Sequence, residues 1–169
     1  MNNVIFTNSV RFILLLLLQV LVLNHVLLFG YINPILYILF VFLYPIKKEK
    51  GIFLVLSFLL GLSVDIFSNS GGVNAAATLL IAYIRLPLLH LIQNKTEFDY
   101  LLFNIKKLNL IQAIVYIFSL TFLHHLVVFL LEFYKTQNVF DISEKVLVTT
   151  IFSGILISFS VQLLLKNKQ

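Results

Sequence analysis

The chain contains no cysteine, and only 11% of its 169 residues are charged. Without cysteine there are no disulfides and no thiolate metal sites. No Gly-rich phosphate loop, HExxH or GxSxG occurs in it, so the signatures of phosphate binding, zinc hydrolysis and the nucleophile elbow are missing. Its seven acidic residues are scattered among loops and helix ends, an arrangement that argues against an enzyme and implies no cofactor.

What the chain has instead is apolar. Hydrophobic residues make up 60% of it, with a mean hydropathy of +1.03. A soluble domain of this length cannot hide so much apolar surface, because small folds leave much of their surface exposed. Lipid is therefore the expected solvent, and the expected fold is an all-α polytopic membrane protein forming one domain over 1–169. Arg11 precedes a long apolar run with no small-x-small cleavage site after it, so the first segment is expected to remain as a helix. The net charge of +5 comes from short clusters between apolar runs. The positive-inside rule accounts for them without nucleic acid.

Six spans are expected. The first covers about 10–29, VRFILLLLLQVLVLNHVLLF, close to the ~20 residues that cross a bilayer. The second covers about 31–45, with Asn33 as a helix cap and Pro34 in the first helical position. From Pro34 to Tyr44 a helix rises only roughly 16 Å, so that helix is expected to begin earlier, near Gly30, or to sit where the bilayer thins. The remaining spans are expected at about 51–67, 72–93, 110–134 and 142–165. Asp141 and Glu144 have the spacing of a capping pair at the start of the last one.

Charge tests the count. With six crossings, one side receives Arg11, the basic residues of 47–50, Lys95, Lys106, Lys107, Lys166 and Lys168, and the other only Lys135 and Lys145. That is nine against two, and it predicts both termini in the cytoplasm. Asn94-Lys95-Thr96 matches a glycosylation acceptor but falls on the expected cytoplasmic side.

Within the apolar runs the informative stretch is GLSVDIFSNSGG, 61–72. A carboxylate inside a span costs on the order of 2.5–3.5 kcal/mol and normally faces protein or water. Asp65 is expected to accept hydrogen bonds from Ser68, Asn69 or the amides near Gly71 and Gly72. Those glycines suit a tight turn and a close approach of the fourth helix. Gly61 lies one turn before Asp65 on the same face, a spacing that favours close packing. The leading reading is a turn-and-packing element, with a partner contact or an ion site as alternatives.

Arg85 lies roughly 20 Å into the fourth span, too far along to pair with Asp65, and is expected to snorkel to the inner headgroups. His124, His125 and Glu132 raise a metal site. His125 and Glu132 rise about 10 Å apart on one face, too far for one ion, so the histidines read as packing residues. His25 and Asn24 read as interfacial.

Length, six spans and LLGLSVDIFSNSGGVNAAATLLIAYI together resemble the rod shape-determining MreD family. There a Gly-x-x-x-Asp pattern closes one helix and a glycine turn leads into the next. Here Gly61 and Asp65 fill the pattern, Gly71 and Gly72 supply the turn, and the residue-level likeness is concentrated in about 51–90. The resemblance implies a non-enzymatic scaffold of the bacterial cytoplasmic membrane. It would pair with MreC and link MreB to RodA and its transpeptidase partner in lateral peptidoglycan synthesis. Gly61, Asp65, Gly71, Gly72 and Arg85 are then the expected structural or partner-binding residues. The 47–50 and Lys106-Lys107 clusters would meet MreB or, more simply, anionic headgroups.

The resemblance also implies the six-helix fold of substrate-binding subunits of energy-coupling factor vitamin transporters, which supplies the alternative function. Those subunits typically dock through small residues in the first helix, yet this first span has no alanine or glycine before Gly30. Its outward loops also offer few polar groups for a ligand. Both features favour the scaffold. An intramembrane enzyme would instead need Asp65, His124 and His125 to meet in one cavity.

Overall fold

The computed structural model describes residues 2–28, 30, 32–46, 50–93, 108–133 and 139–166; the helical side chains at 2–4, 133, 139–142, 165 and 166 lie outside that description. Among the described residues all regular structure is helical, apart from one isolated bridge between Leu28 and Ile32. The helices are α1 (Asn2–Leu21), a 3-10 turn (Leu23–His25), α2 (Leu39–Leu43), α3 (Gly51–Ser68), α4 (Val73–Gln93), α5 (Leu110–Phe133) and α6 (Val139–Lys166). Five of these, with α1 continued through its 3-10 turn, are long and apolar enough to cross a membrane. Their large exposed residues, such as Phe6, Ile66 and Leu131, are what a bundle solvated by lipid presents.

Hydrogen bonds between helix ends fix the directions. Asn24, just past α1, donates to Ser68 at the end of α3 (2.9 Å), so α1 and α3 point the same way. The tight turn after Ser68 sends α4 back antiparallel, and Gln112 in the first turn of α5 reaches the Ile92 carbonyl near the end of α4 (3.5 Å). Between α1 and α3 the chain must therefore return along the length of the bundle.

It does so without the helix expected from Asn33 and Pro34. Residues 33–36 have no regular structure, α2 is five residues long, and Gly30 sits in a turn at φ 83°. A non-helical strand covers up to about 3.3 Å per residue against 1.5 Å for a helix. Unwinding is thus how so short a segment traverses the bundle.

Unwound backbone inside an apolar helix bundle is tolerated only where protein buries it and supplies its hydrogen bonds. Both conditions are met. Tyr37 to Phe42 are all buried and form the centre of the core with Leu60, Ile81, Leu89, Leu120 and Ile157. Gln19 Oε1 accepts from the Leu36 and Tyr37 amides (2.8 and 3.3 Å), while its Nε2 donates to the Pro34 carbonyl (3.2 Å) and to Asn24 (2.9 Å). Ser153 Oγ on α6 accepts from the Ile35 amide (3.0 Å).

Other boundaries also shift from the sequence reading. Helix α1 begins at Asn2 rather than near residue 10, with Asn8 buried and its Oδ1 accepting from Arg11 (3.5 Å). It gives way to the 3-10 turn at Asn24 and His25 instead of continuing to 29. Helix α6 starts at Val139, which places Asp141 inside the first turn rather than at the cap. Residues 47–49, the 94–107 stretch with Asn94-Lys95-Thr96 and Lys106-Lys107, Lys135 and Lys168 lie outside the described residues.

Candidate functional site

The turn between α3 and α4 is built by Asp65 and glycine. Asn69 adopts the left-handed conformation (φ 53°), and its amide and that of Ser70 return to the Asp65 carbonyl. Gly71 and Gly72 follow at φ 68° and 93°, values that an L side chain adopts only with strain. A Cβ at either would meet nothing within 4 Å. Their role is therefore the backbone turn, and the close approach expected of them is absent.

Close approach occurs at Gly61 instead. A Cβ there would lie 2.6 Å from the Asn74 carbonyl oxygen, 2.7 Å from Ala75 Cα and 2.8 Å from Ala75 N. One turn later the Asp65 carboxylate, 3% exposed, receives the free amides at the start of α4. Oδ1 accepts from the Asn74 amide (2.9 Å), Asn74 Nδ2 (3.0 Å) and Ser70 Oγ, and Oδ2 accepts from the Ala75 amide (2.8 Å). The donors are thus the Ser70 hydroxyl, the Asn74 side chain and the Asn74 and Ala75 amides just past Gly72, and not Ser68 or Asn69. A carboxylate at a helix N-terminus satisfies orphan N–H groups and meets the positive end of the helix dipole.

From Asp65 a polar chain runs into the core. With both Asn74 Nδ2 protons held by Asp65 and Ser70 (3.1 Å), Asn74 Oδ1 faces Tyr37, whose hydroxyl donates to it at 3.1 Å. Thr78 gives its own proton to the Asn74 carbonyl (2.6 Å) and sits 3.1 Å from the same tyrosine oxygen. His124 Nε2 lies 2.8 Å from that oxygen. Because the tyrosine proton is already committed, His124 must donate from Nε2, leaving Nδ1 as a bare, buried acceptor without a partner.

His125 carries the opposite tautomer. Its Nδ1 donates to the Thr121 carbonyl (2.7 Å), so Nε2 accepts from Ser153 Oγ (3.3 Å), the same hydroxyl that holds the Ile35 amide. The two neighbouring rings thus serve different ends. Through Tyr37, His124 ties α5 to α4, while His125 ties it to α6 and the unwound segment. Among the described residues no three His, Cys, Asp or Glu side chains gather as a metal site would need. Asp65 and His124 are joined through Asn74 and Tyr37 rather than by direct contact.

Arg85 lies eleven positions beyond Asn74, roughly 16 Å along α4. It does not snorkel. At 4% exposure its guanidinium donates to the carbonyls of Val41, Tyr44 (3.1 Å) and Pro45 (3.2 Å) and stacks 3.8 Å from the Phe53 ring centroid. Arg11 adds a bond to the Leu43 carbonyl (3.3 Å). The two arginines close the C-terminal end of α2, where carbonyls lack helical partners and the dipole is negative.

Above the polar chain, at the Ser68 end of the bundle, lies a crevice of about 550 Å³ whose lining includes Gln19, Asn24, Asn33, Tyr37, Phe67, Ser68, Asn74, Phe129 and Glu132. Asp65, His124 and His125 do not line it. Of the residues singled out from sequence, Gly61, Asp65, Gly71 and Gly72 come together at the α3–α4 turn, and Arg85 belongs to a separate cluster. Gln19, Tyr37, Asn74 and Ser153 were not singled out. The only sequence signal for Gln19 is its isolation in an apolar run.

No protein-family model, curated protein or solved structure matches this chain.

Proposed function

We propose that the chain is a multi-pass, non-enzymatic scaffold of a bacterial cytoplasmic membrane, working as MreD proteins do. It crosses six times, with the unwound segment as the second crossing, and keeps both termini in the cytoplasm, as the nine-to-two bias of basic residues favours. In this reading it pairs with MreC and connects MreB to RodA and its transpeptidase in lateral wall synthesis, in contact with membrane lipid. Its fold is akin to that of the substrate-binding subunits of energy-coupling factor transporters.

The observation that carries the reading is how the motif residues are used. Both Asp65 oxygens are consumed by donors from α4 and the preceding turn, and Gly61 is consumed by backbone contact. A motif spent on rigidity supports a protein whose work is to hold a shape. Every long helix leaves apolar residues exposed, and α1, the least buried of the five, offers partners the most. The motif would then act on partners indirectly, by fixing the body on which α1 is mounted.

The test is purification of the tagged protein from its native membrane in mild detergent, with mass spectrometry of what accompanies it. MreC and the wall-synthesis enzymes are the expected companions. A transporter ATPase and coupling subunit in their place would replace the scaffold reading with the transporter one.

A further inference from the structure

The crevice at the Ser68 end has features that neither the hairpin nor the scaffold reading requires. Its volume of about 550 Å³ falls within the roughly 300–1,000 Å³ of small-molecule sites. Its lining combines apolar side chains, Val20, Ile35, Val64 and Val128, with the amides and hydroxyls of Gln19, Asn24, Ser68 and Ser70. Tyr37 and Asn74 also line it, and both are held in place by hydrogen bonds with Asp65, Thr78 and His124. Asn33 in its wall makes one long hydrogen bond, Nδ2 to the Asn24 carbonyl at 3.4 Å, and its Oδ1 makes none.

Charge and ring chemistry decide what it would hold. Glu132 lines the crevice, and the Asp65 carboxylate stands behind Ser70 and Asn74 of its wall. Among the described residues that line it there is no lysine or arginine, and His25 is the one basic side chain; Lys145, which acts electrostatically on Glu132, is outside the lining. Phe67 and Phe129 add two aromatic rings. Carboxylates and ring faces favour a cation, and an apolar wall favours one with a hydrophobic body.

We infer that this crevice is a binding site for a small amphipathic organic cation. The ammonium end lies toward Glu132 and the aromatic rings, and the apolar body lies against Val20, Ile35 and Val128. The inference stands apart from the scaffold reading and survives or fails without it.

The absence of cysteine from the chain permits a direct test on the full-length protein in lipid nanodiscs. Ile35→Cys and Val20→Cys each place one thiol in the wall. Ile66→Cys, at a 71% exposed position on α3, serves as the lipid-facing control. Rates are measured for the trimethylammonium-ethyl and sulfonatoethyl methanethiosulfonates, each normalised to a free thiol. The cationic reagent is expected to react at the wall positions about tenfold faster than the anionic one. Glu132→Gln should bring the two rates together, and Ile66→Cys should react slowly with both. Benzyltrimethylammonium should slow the wall reaction, and benzenesulfonate should leave it unchanged. Silence of both wall thiols in folded protein would show that the crevice is closed to small cations and would overturn the site. Equal rates, a preference for the anion, or no protection by benzyltrimethylammonium would overturn the cation site.

Discussion

Gly61 and Asp65, one helical turn apart on α3, act on the same two residues of α4. Gly61 lets its backbone touch Asn74 and Ala75, and Asp65 receives the amide protons of both. The two requirements are coupled, since an aspartate can reach those amides only if the helices come close enough. That coupling gives the Gly-x-x-x-Asp spacing its physical meaning, with hydrogen bonds and small residues replacing the hydrophobic drive that lipid does not supply between helices.

Gly61→Ala is therefore expected to be costly. The atoms its Cβ would strike are backbone and cannot rotate away, so overpacking of about 1–3 kcal/mol is expected. Gly61→Val should be worse. Thermal unfolding of the purified variants, followed by loss of the monodisperse species, reads this; an unchanged melting temperature for Gly61→Ala would show that the helices are not in contact there.

Asp65→Leu removes the acceptor from two α4 amides, the Asn74 side chain and Ser70. Each buried donor left unsatisfied costs about 1–3 kcal/mol, so this variant should lose more stability than Asp65→Asn, which keeps one acceptor oxygen. Both should still insert. Equal melting temperatures for the two would mean that the amides find other partners. In co-purification, loss of companions should follow the loss of stability.

Tyr37→Phe and His124→Phe form a double-mutant cycle. The hydroxyl and Nε2 are 2.8 Å apart, and polar pairs between membrane helices average about 0.6 kcal/mol, with a maximum near 1.7. A coupling in that range is expected by reversible unfolding in detergent. Strict additivity would leave the ring contact, 5.6 Å between centroids, as the whole interaction.

The hairpin was legible because its grammar is local. A polar residue in an apolar run, a small residue one turn earlier and paired glycines all fall within twelve positions. The unwound segment was not legible, because a fully buried run is apolar on every face and shows no period. The sequence around Tyr37 therefore reads as a short helix opened by Asn33 and Pro34. What decides is the placement of Gln19 and Ser153, 17 and 118 positions from the amides that they satisfy. The error over Arg85 has the same origin, since snorkelling is the default when no buried acceptor is visible and its carbonyl acceptors exist only because α2 ends at Leu43.

Gln19→Leu tests the unwound segment. It preserves bulk but strips an acceptor from the Leu36 and Tyr37 amides and a donor from the Pro34 carbonyl. Hydrogen exchange should accelerate at residues 35–40 well before it changes in α3 or α4. Uniform acceleration over the whole chain, or none, would show that the segment does not depend on this side chain.

Arg85→Lys and Arg85→Met divide the cap on α2 into its parts. The guanidinium reaches three carbonyls at once and lies flat on Phe53, a geometry that a lysine ammonium, as a compact point charge, does not reproduce. Hydrogen bonds to a charged group contribute about 1.5–3 kcal/mol each, so Arg85→Met should be the more destabilised and Arg85→Lys intermediate. The loss should appear first as exchange of the α2 amides. A snorkelling arginine predicts the reverse, because lysine snorkels equally well and would leave both stability and exchange at their native values.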